Sequence, residues 1–175
     1  MNKKILKKAT LILILIVIFV AIVFIINNIS DKSQGLLVGN ANSNGELSTS
    51  FGEIVDFDNM IEITDNYFIQ QTNDVFFNTD EYIGKSIKIE GFVYSYEDYE
   101  TGNICHSVIR NTPGCCGADG LAGLDIRYDK KYPAENTWVE VIGVIGTDTV
   151  FGDTIPVIHV ASITKKDEGT TFVSN

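Results

Sequence analysis

An unbroken apolar run, Leu11 to Ile26, constrains this chain more than any other feature, because no charged residue lies between Lys8 and Asp31. With Ala9, Thr10 and Ile29 at its margins it approaches the roughly 20 residues that a helix needs to cross the hydrocarbon core of a bilayer. A helix buried in the core of a small domain usually shows a polar face, and this run has none. It is also too long for a buried strand. Lys3, Lys4, Lys7 and Lys8 precede the run, whereas only Lys32, beside Asp31, follows it closely. The positive-inside bias therefore predicts a cytoplasmic amino terminus and a body outside the cell membrane. VFIINNIS offers no small-x-small cleavage site, so residues 1–30 read as a basic stub and an uncleaved, single-pass signal anchor rather than a removable signal peptide.

Charge divides along the same line. Residues 1–30 carry four lysines and no acid, and the remainder holds nine basic and 23 acidic side chains. A body at −14 repels phosphate backbones, which argues against a nucleic-acid partner. The sequence has no Ser/His/Asp spacing, no phosphate-binding glycine loop, no dinucleotide fingerprint and no H-E-x-x-H. A binding role is expected rather than an enzyme.

Residues 31–50 are rich in Gly, Ser and Asn and read as a flexible tether. The extracytoplasmic domain is expected over 51–166. Within Glu53 to Thr64, IVDF and MIEI alternate like short strands. Phe68, Ile69, Thr72, Val75 and Phe76 then fall on one stripe, which predicts an amphipathic helix over 66–78 capped by Thr64 or Asp65. From Tyr82 the period changes to two. SIKIEGFVYSY, ICHSVIR, LAGLDIRY, TWVEVIGVIG and IPVIHVASIT are strand-like and are separated by turn residues such as Pro113-Gly114 and Phe151-Gly152-Asp153. Gly91 in the first of them predicts a bulge or a sharp coil in a curved sheet. The fold class is mainly β, a small five-stranded OB-like barrel, with the helix plugging one end. Residues 167–175 read as a frayed tail.

The unusual local sequence is Arg110 followed by Cys115, Cys116 and Asp119 among Pro113, Gly114, Gly117 and Gly120. If the flanking strands pair antiparallel, Cys105 and His106 can join them. Thiolate, imidazole and carboxylate are the ligand types for zinc or copper(I). Three alternatives stay open for the same residues: buried thiols that pack as small hydrophobes, a structural disulfide in an oxidising compartment, and a thiol-redox or sensor module. Arg110 is expected to hold Asp119, to lower a thiol pKa, or to be a solvated strand-face charge. His159 reads as a satisfied core or rim residue. Tyr82, Phe92, Tyr94, Tyr96 and Tyr99 can stack on a ligand or pack an edge.

Several stretches carry a resemblance. They are Ile63-Thr64-Asp65 with Phe68, Tyr82-Ile83-Gly84-Lys85, Ile89-Glu90-Gly91-Phe92-Val93-Tyr94, Arg110 with Cys115-Cys116-x-Ala118-Asp119, Gly123, Trp138-Val139 and Gly143. Through them Met60 to Lys165 resembles the carboxy-terminal domain of the YcgQ-like family of bacterial membrane proteins, described as permease subunits. Here Asn111 stands where an aromatic residue is usual and Gly117 where alanine is usual. Family members carry more membrane helices ahead of this domain. The resemblance implies an accessory subunit whose partner is a multi-spanning membrane permease.

Overall fold

Alternation of apolar side chains on long strands organises the chain. In a computed structural model, residues 38–41, 46–114 and 117–174 are described, with the backbone alone for 38–41 and 117–119. The anchor expected at 1–30 lies outside the described residues, as do Cys115 and Cys116. Among the described residues no helix is long and apolar enough to cross a membrane.

The elements run β1 (Val38–Ala41), β2 (Leu47–Ser48), β3 (Ile61–Glu62), a 3-10 turn (Asp65–Tyr67), α1 (Phe68–Phe77), α2 (Thr79–Tyr82), β4 (Ser86–Glu97), β5 (Ile104–Gly114), β6 (Gly117–Arg127), β7 (Trp138–Val150) and β8 (Asp153–Lys165). The fold is mainly β, a mixed sheet with short helices. β4 shows why: Ile87, Ile89, Gly91 and Val93 are buried while Lys88, Glu90 and Phe92 are half-buried, the period-two pattern of a strand with one face in a core.

The pairings of the five long strands form a circuit. β4 pairs antiparallel with β5 from Phe92 to Glu97 and with β7 from Ser86 to Phe92. β5 pairs antiparallel with β6, and β6 pairs parallel with β8 at residues 125–127. β8 pairs antiparallel with β7, with a register shift between Ile142 and Gly143. β4 thus exchanges partners at Gly91 and Phe92. A Cβ on Gly91 would lie 2.6 Å from the Ile109 carbonyl oxygen, so glycine is needed there for close strand approach. Both ladders of β4 run without a register break, so of the two readings of Gly91 the bulge is not what is found.

The interior is filled by Ile87, Ile89, Val93, Val108, Leu124, Ile126, Val139, Val141, Ile145, Ile158 and Val160. Phe68 and Val75, from the buried stripe of α1, join this cluster, whereas Phe76, expected on the same stripe, is 48% exposed, and the helix starts at Phe68 after the 3-10 turn rather than at residue 66. Thr64 occupies the cap position of the preceding turn without a side-chain cap bond.

Three boundaries differ from expectation. Val38–Ala41, inside the expected tether, is a strand: Val38 pairs with Ile163 and Gly39 with Ser162, because β8 offers a free edge there. IVDF contributes only a bridge between Ser48 and Ile54, and MIEI only β3, parallel to β4. The expected frayed tail is docked through Val173, which is 4% exposed. The Asn111 N–H donates to the Thr171 carbonyl and the Val173 N–H to the Asn111 carbonyl. Once β4 has turned to β7, the β5 edge beyond Ile109 has unused backbone groups, and the tail satisfies them.

Candidate functional site

The β5–β6 hairpin sets where each candidate residue stands. His106 is opposite Ile126, and Gly114 is opposite Gly117. Cys105 and His106 therefore lie towards one end of the β5–β6 ladder, and Asp119 in β6 lies towards the other. At ~3.3 Å per residue, the seven positions from Ile126 to Asp119 span about 23 Å. The register therefore does not bring Asp119 to Cys105 and His106, and the rest of the expected convergence falls on Cys115 and Cys116. Asp119 lies in β6, and Cys115 and Cys116 lie outside the described residues. Among the described residues no group of three or more His, Cys, Asp and Glu side chains is placed to hold a metal ion.

Arg110 is also corrected. It is 1% exposed rather than solvated. Its Nε donates to the Glu90 carbonyl at 2.8 Å and its Nη1 to Asp65 Oδ1 at 2.5 Å, so its carboxylate partner is Asp65. The guanidinium lies between the rings of Phe68 and Trp138, 4.5 and 5.1 Å from their centroids. His159 is a satisfied rim residue, with Nδ1 2.7 Å from Glu53 Oε1 and its ring stacked 4.0 Å from that of Phe51.

What the strands do bring together is a polar cluster beside Cys105. Alternation sends Val93, Val108, Leu124 and Ile126 inward, so Tyr94, Tyr96, Cys105, Ser107, Asp125 and Arg127 share the opposite face. Asp125 is the centre. Its carboxylate accepts the Tyr96 hydroxyl at 2.5 Å and the Ser107 hydroxyl at 2.6 Å, and Arg127 Nη1 stands 3.5 Å away. Arg127 Nε donates to Asp148 on β7. Burial pushes the Tyr96 phenol well up, reinforced by its bond to Asp125. The Cys105 thiol is also raised, first by burial and further by Asp125, against the pull of Arg127 and Tyr96. It is a protonated, unactivated thiol near neutral pH. Burial and then Arg127 hold the His106 imidazole below its ordinary value, so it is neutral there.

Beside the cluster is a cleft of about 280 Å³ lined by Asp98, Asn103, Cys105, His106, Arg127 and Asp148. His106 lies flat against Tyr132, with centroids 3.7 Å apart and planes within 1°. Two loops border the cleft. In the β4–β5 loop, Asp98 is 2% exposed and accepts the Glu100 N–H at 3.0 Å and the Thr101 hydroxyl at 2.8 Å. Burial opposes ionisation of its carboxyl, but these bonds and one from the Phe151 N–H hold it below the usual range. Asp98 thereby ties this loop to the β7–β8 turn. That turn pairs Val150 with Asp153 and places Phe151 and Gly152 at φ of 51° and 79°, the left-handed pair of a two-residue hairpin. Phe151 stacks on Tyr99 at 4.7 Å and tilts against Tyr96 at 5.7 Å, and Tyr94 stacks on Tyr96 at 6.3 Å. Tyr99 is 76% exposed.

Asp125, Arg127 and Asp148 were not singled out by local motif. The signal for the first two was present in LAGLDIRY, where two charges alternate with Leu124 and Ile126 and so must share the solvent face. The cluster holds a hydroxyl, carboxylate and guanidinium network already bonded and a thiol that is not activated.

These features define a small mainly-β domain with a polar and aromatic face. The chain belongs to the DUF1980 family: the DUF1980 C-terminal domain matches residues 39–173. The matched span starts in β1 and ends at Val173, the buried residue of the docked tail. No curated protein and no solved structure matches the chain.

Proposed function

We propose that this chain is a membrane-anchored, extracytoplasmic binding subunit that works beside a multi-spanning permease of the YcgQ-like kind. The membrane part of this reading rests on the apolar run Leu11 to Ile26 and the lysines before it. The permease part rests on the resemblance of Met60 to Lys165. We read the strand circuit as a small OB-like barrel. Its strand order and the parallel β6–β8 pairing support this, and in such barrels the second and third strands with their neighbouring loops form the binding surface. Here that surface is the outer side of β5 and β6, bordered by the β4–β5 loop and the β7–β8 turn.

The observation that carries the proposal is the convergence of Tyr96, Ser107 and Arg127 on Asp125 beside the cleft. Core packing does not require a carboxylate with three polar partners on an outward face. A prebonded network of this kind loses little freedom when a partner arrives. Photo-crosslinking in native membranes tests it. A crosslinking residue at Tyr99 or Ile104 is expected to capture a multi-spanning protein, and one at Phe77 on α1 is not. Capture from Phe77 alone would move the binding surface to α1 and refute the assignment.

A further inference from the structure

A second, smaller core lies on β7 and β8, where Val55 packs with Val144 and Ala161, and Leu47, Met60 and Ile142 pack around them. The segment after β2 folds back to reach it. The Val55 N–H donates to the Leu47 carbonyl at 3.0 Å, and the Thr49 hydroxyl accepts the Phe51 and Glu53 N–H groups, each at 3.2 Å. The Asp56 N–H then donates to Ser86 Oγ at 2.7 Å, which fixes the next stretch to β4. Together these pieces wall a groove of about 730 Å³ whose apolar lining is Leu47, Ile54, Val55, Phe57 and Ile142. Folding does not finish covering it, because Ile54 and Phe57 are 54% and 56% exposed. Apolar residues exposed singly are ordinary, but two large ones in the wall of one apolar groove mark a surface that gains by being covered.

The rim of the groove has one sign. Glu46, Asp56 and Asp58 complete its lining, and no lysine or arginine is part of it. Lys88 stands across the β4–β7 ladder from Ile142, but Glu62 already holds it at 2.7 Å. Two residues along β7, Glu140 stands opposite Glu90, with Lys166 3.3 Å from Glu140. The acidic character therefore continues past the groove. We propose that this groove docks a basic, apolar peptide segment of another protein, with an apolar side chain against Ile54 and Phe57 and lysine or arginine side chains reaching Asp56 and Asp58. A second copy of the domain would bring the same acidic rim, and an anionic lipid surface has the same sign; like charges brought face to face cost affinity. The chain's own basic stretch, Lys3 to Lys8, lies on the cytoplasmic side in the topology proposed above, and only the choice of another protein as the source rests on that topology. The groove shares no lining residue with the cleft beside Asp125, so it stands or falls independently of that face.

The full-length chain in phosphatidylcholine nanodiscs is titrated against three dye-labelled peptides, KKLFLKK, EELFLEE and KKSGSKK, and anisotropy is read against empty nanodiscs. KKLFLKK is expected to bind saturably and the other two are not, and its affinity should fall as salt rises. Phe57→Ser should weaken KKLFLKK about tenfold and Asp58→Lys about fivefold. Both positions are exposed, so the variants fold, and an unchanged melting temperature checks that they do. No saturable binding of KKLFLKK, equal binding of KKSGSKK, or full affinity in both variants would overturn the proposal. A fluorescent residue placed at Phe57 and quenched by spin-labelled lipid, with no peptide bound, would give the patch to the bilayer instead. Binding that emerges only after Lys3, Lys4, Lys7 and Lys8 are replaced by Gln would show the groove filled by the chain's own terminus, and would overturn its assignment to another protein.

Discussion

Arg110 Nη1 meets Asp65 Oδ1 at 2.5 Å, joining the middle of β5 to the turn before α1 across 45 residues of sequence. Asp65 also accepts the Thr170 hydroxyl at 3.0 Å through its other oxygen, so one carboxylate ties the helix turn, a strand and the carboxy-terminal strap together. Replacing Arg110 by Ala leaves the Glu90 carbonyl without its donor and empties the slot between Phe68 and Trp138. The expected loss is about 2–4 kcal/mol, measured by urea denaturation. Arg110→Met keeps an unbranched chain in that slot and should lose less. Equal stability of Arg110→Ala and wild type would show that the buried guanidinium is no anchor.

The same pair gives the domain an acid-sensitive stability. The bond from Arg110 holds the Asp65 carboxyl below its ordinary value of 3.8, with burial opposing and Thr170 and the charge of Arg110 assisting. A carboxyl depressed in the folded state contributes stability that is complete above the unfolded value and is lost as pH falls through the folded one. Asp98 and Asp148 are depressed as well and add to the same slope. The urea midpoint of the wild type should therefore fall between about pH 5 and pH 3, and Asp65→Asn should be less stable at neutral pH with a flatter profile. A variant profile parallel to that of the wild type would separate Asp65 from the acid response.

Legibility in the sequence followed the range of the interactions. Ile87, Ile89 and Val93, and likewise Leu124 and Ile126, announce their strands because period-two alternation is a local property. The stripe from Phe68 to Val75 announced α1 in the same way. Arg110 was misread because Cys115, Cys116 and Asp119 lie a few residues away in sequence, while its actual partner is distant and reached only through the fold. Asp125 draws Tyr96 from 29 residues away and Ser107 from 18, separations set by strand register and not by any motif spacing. Gly91 signalled an irregularity, but composition does not distinguish a bulge from two backbones in close approach. Asp167 to Asn175 is polar and short, and nothing in it shows that Val173 finds a vacant strand edge.

Cys105 offers a chemical check on the polar face. Its thiol is raised by burial and by Asp125. Alkylation by iodoacetamide, measured with Cys115 and Cys116 replaced by Ser, should be slow at pH 7 and rise only above the ordinary thiol range. Asp125→Asn removes a neighbouring negative charge, so the thiolate should form at lower pH and react faster at a given pH. Rapid alkylation at neutral pH in the unsubstituted face would instead favour a redox or sensor role for this cysteine.

The strap that closes the far side can be removed cleanly by ending the chain after Lys166. The truncation takes away the buried Val173, the Thr170 bond to Asp65 and both backbone bonds to Asn111. It also uncovers Trp138, because a Cβ at Gly169 would already stand 2.9 Å from the indole. Burial of one valine and three hydrogen bonds gives an expected loss of about 2–4 kcal/mol. Tryptophan emission should shift to the red as water reaches the ring. A truncated chain with unchanged melting temperature and emission would mean that the strap is not held against β5 in solution, and the boundary drawn at Val173 would have to move back to Lys165.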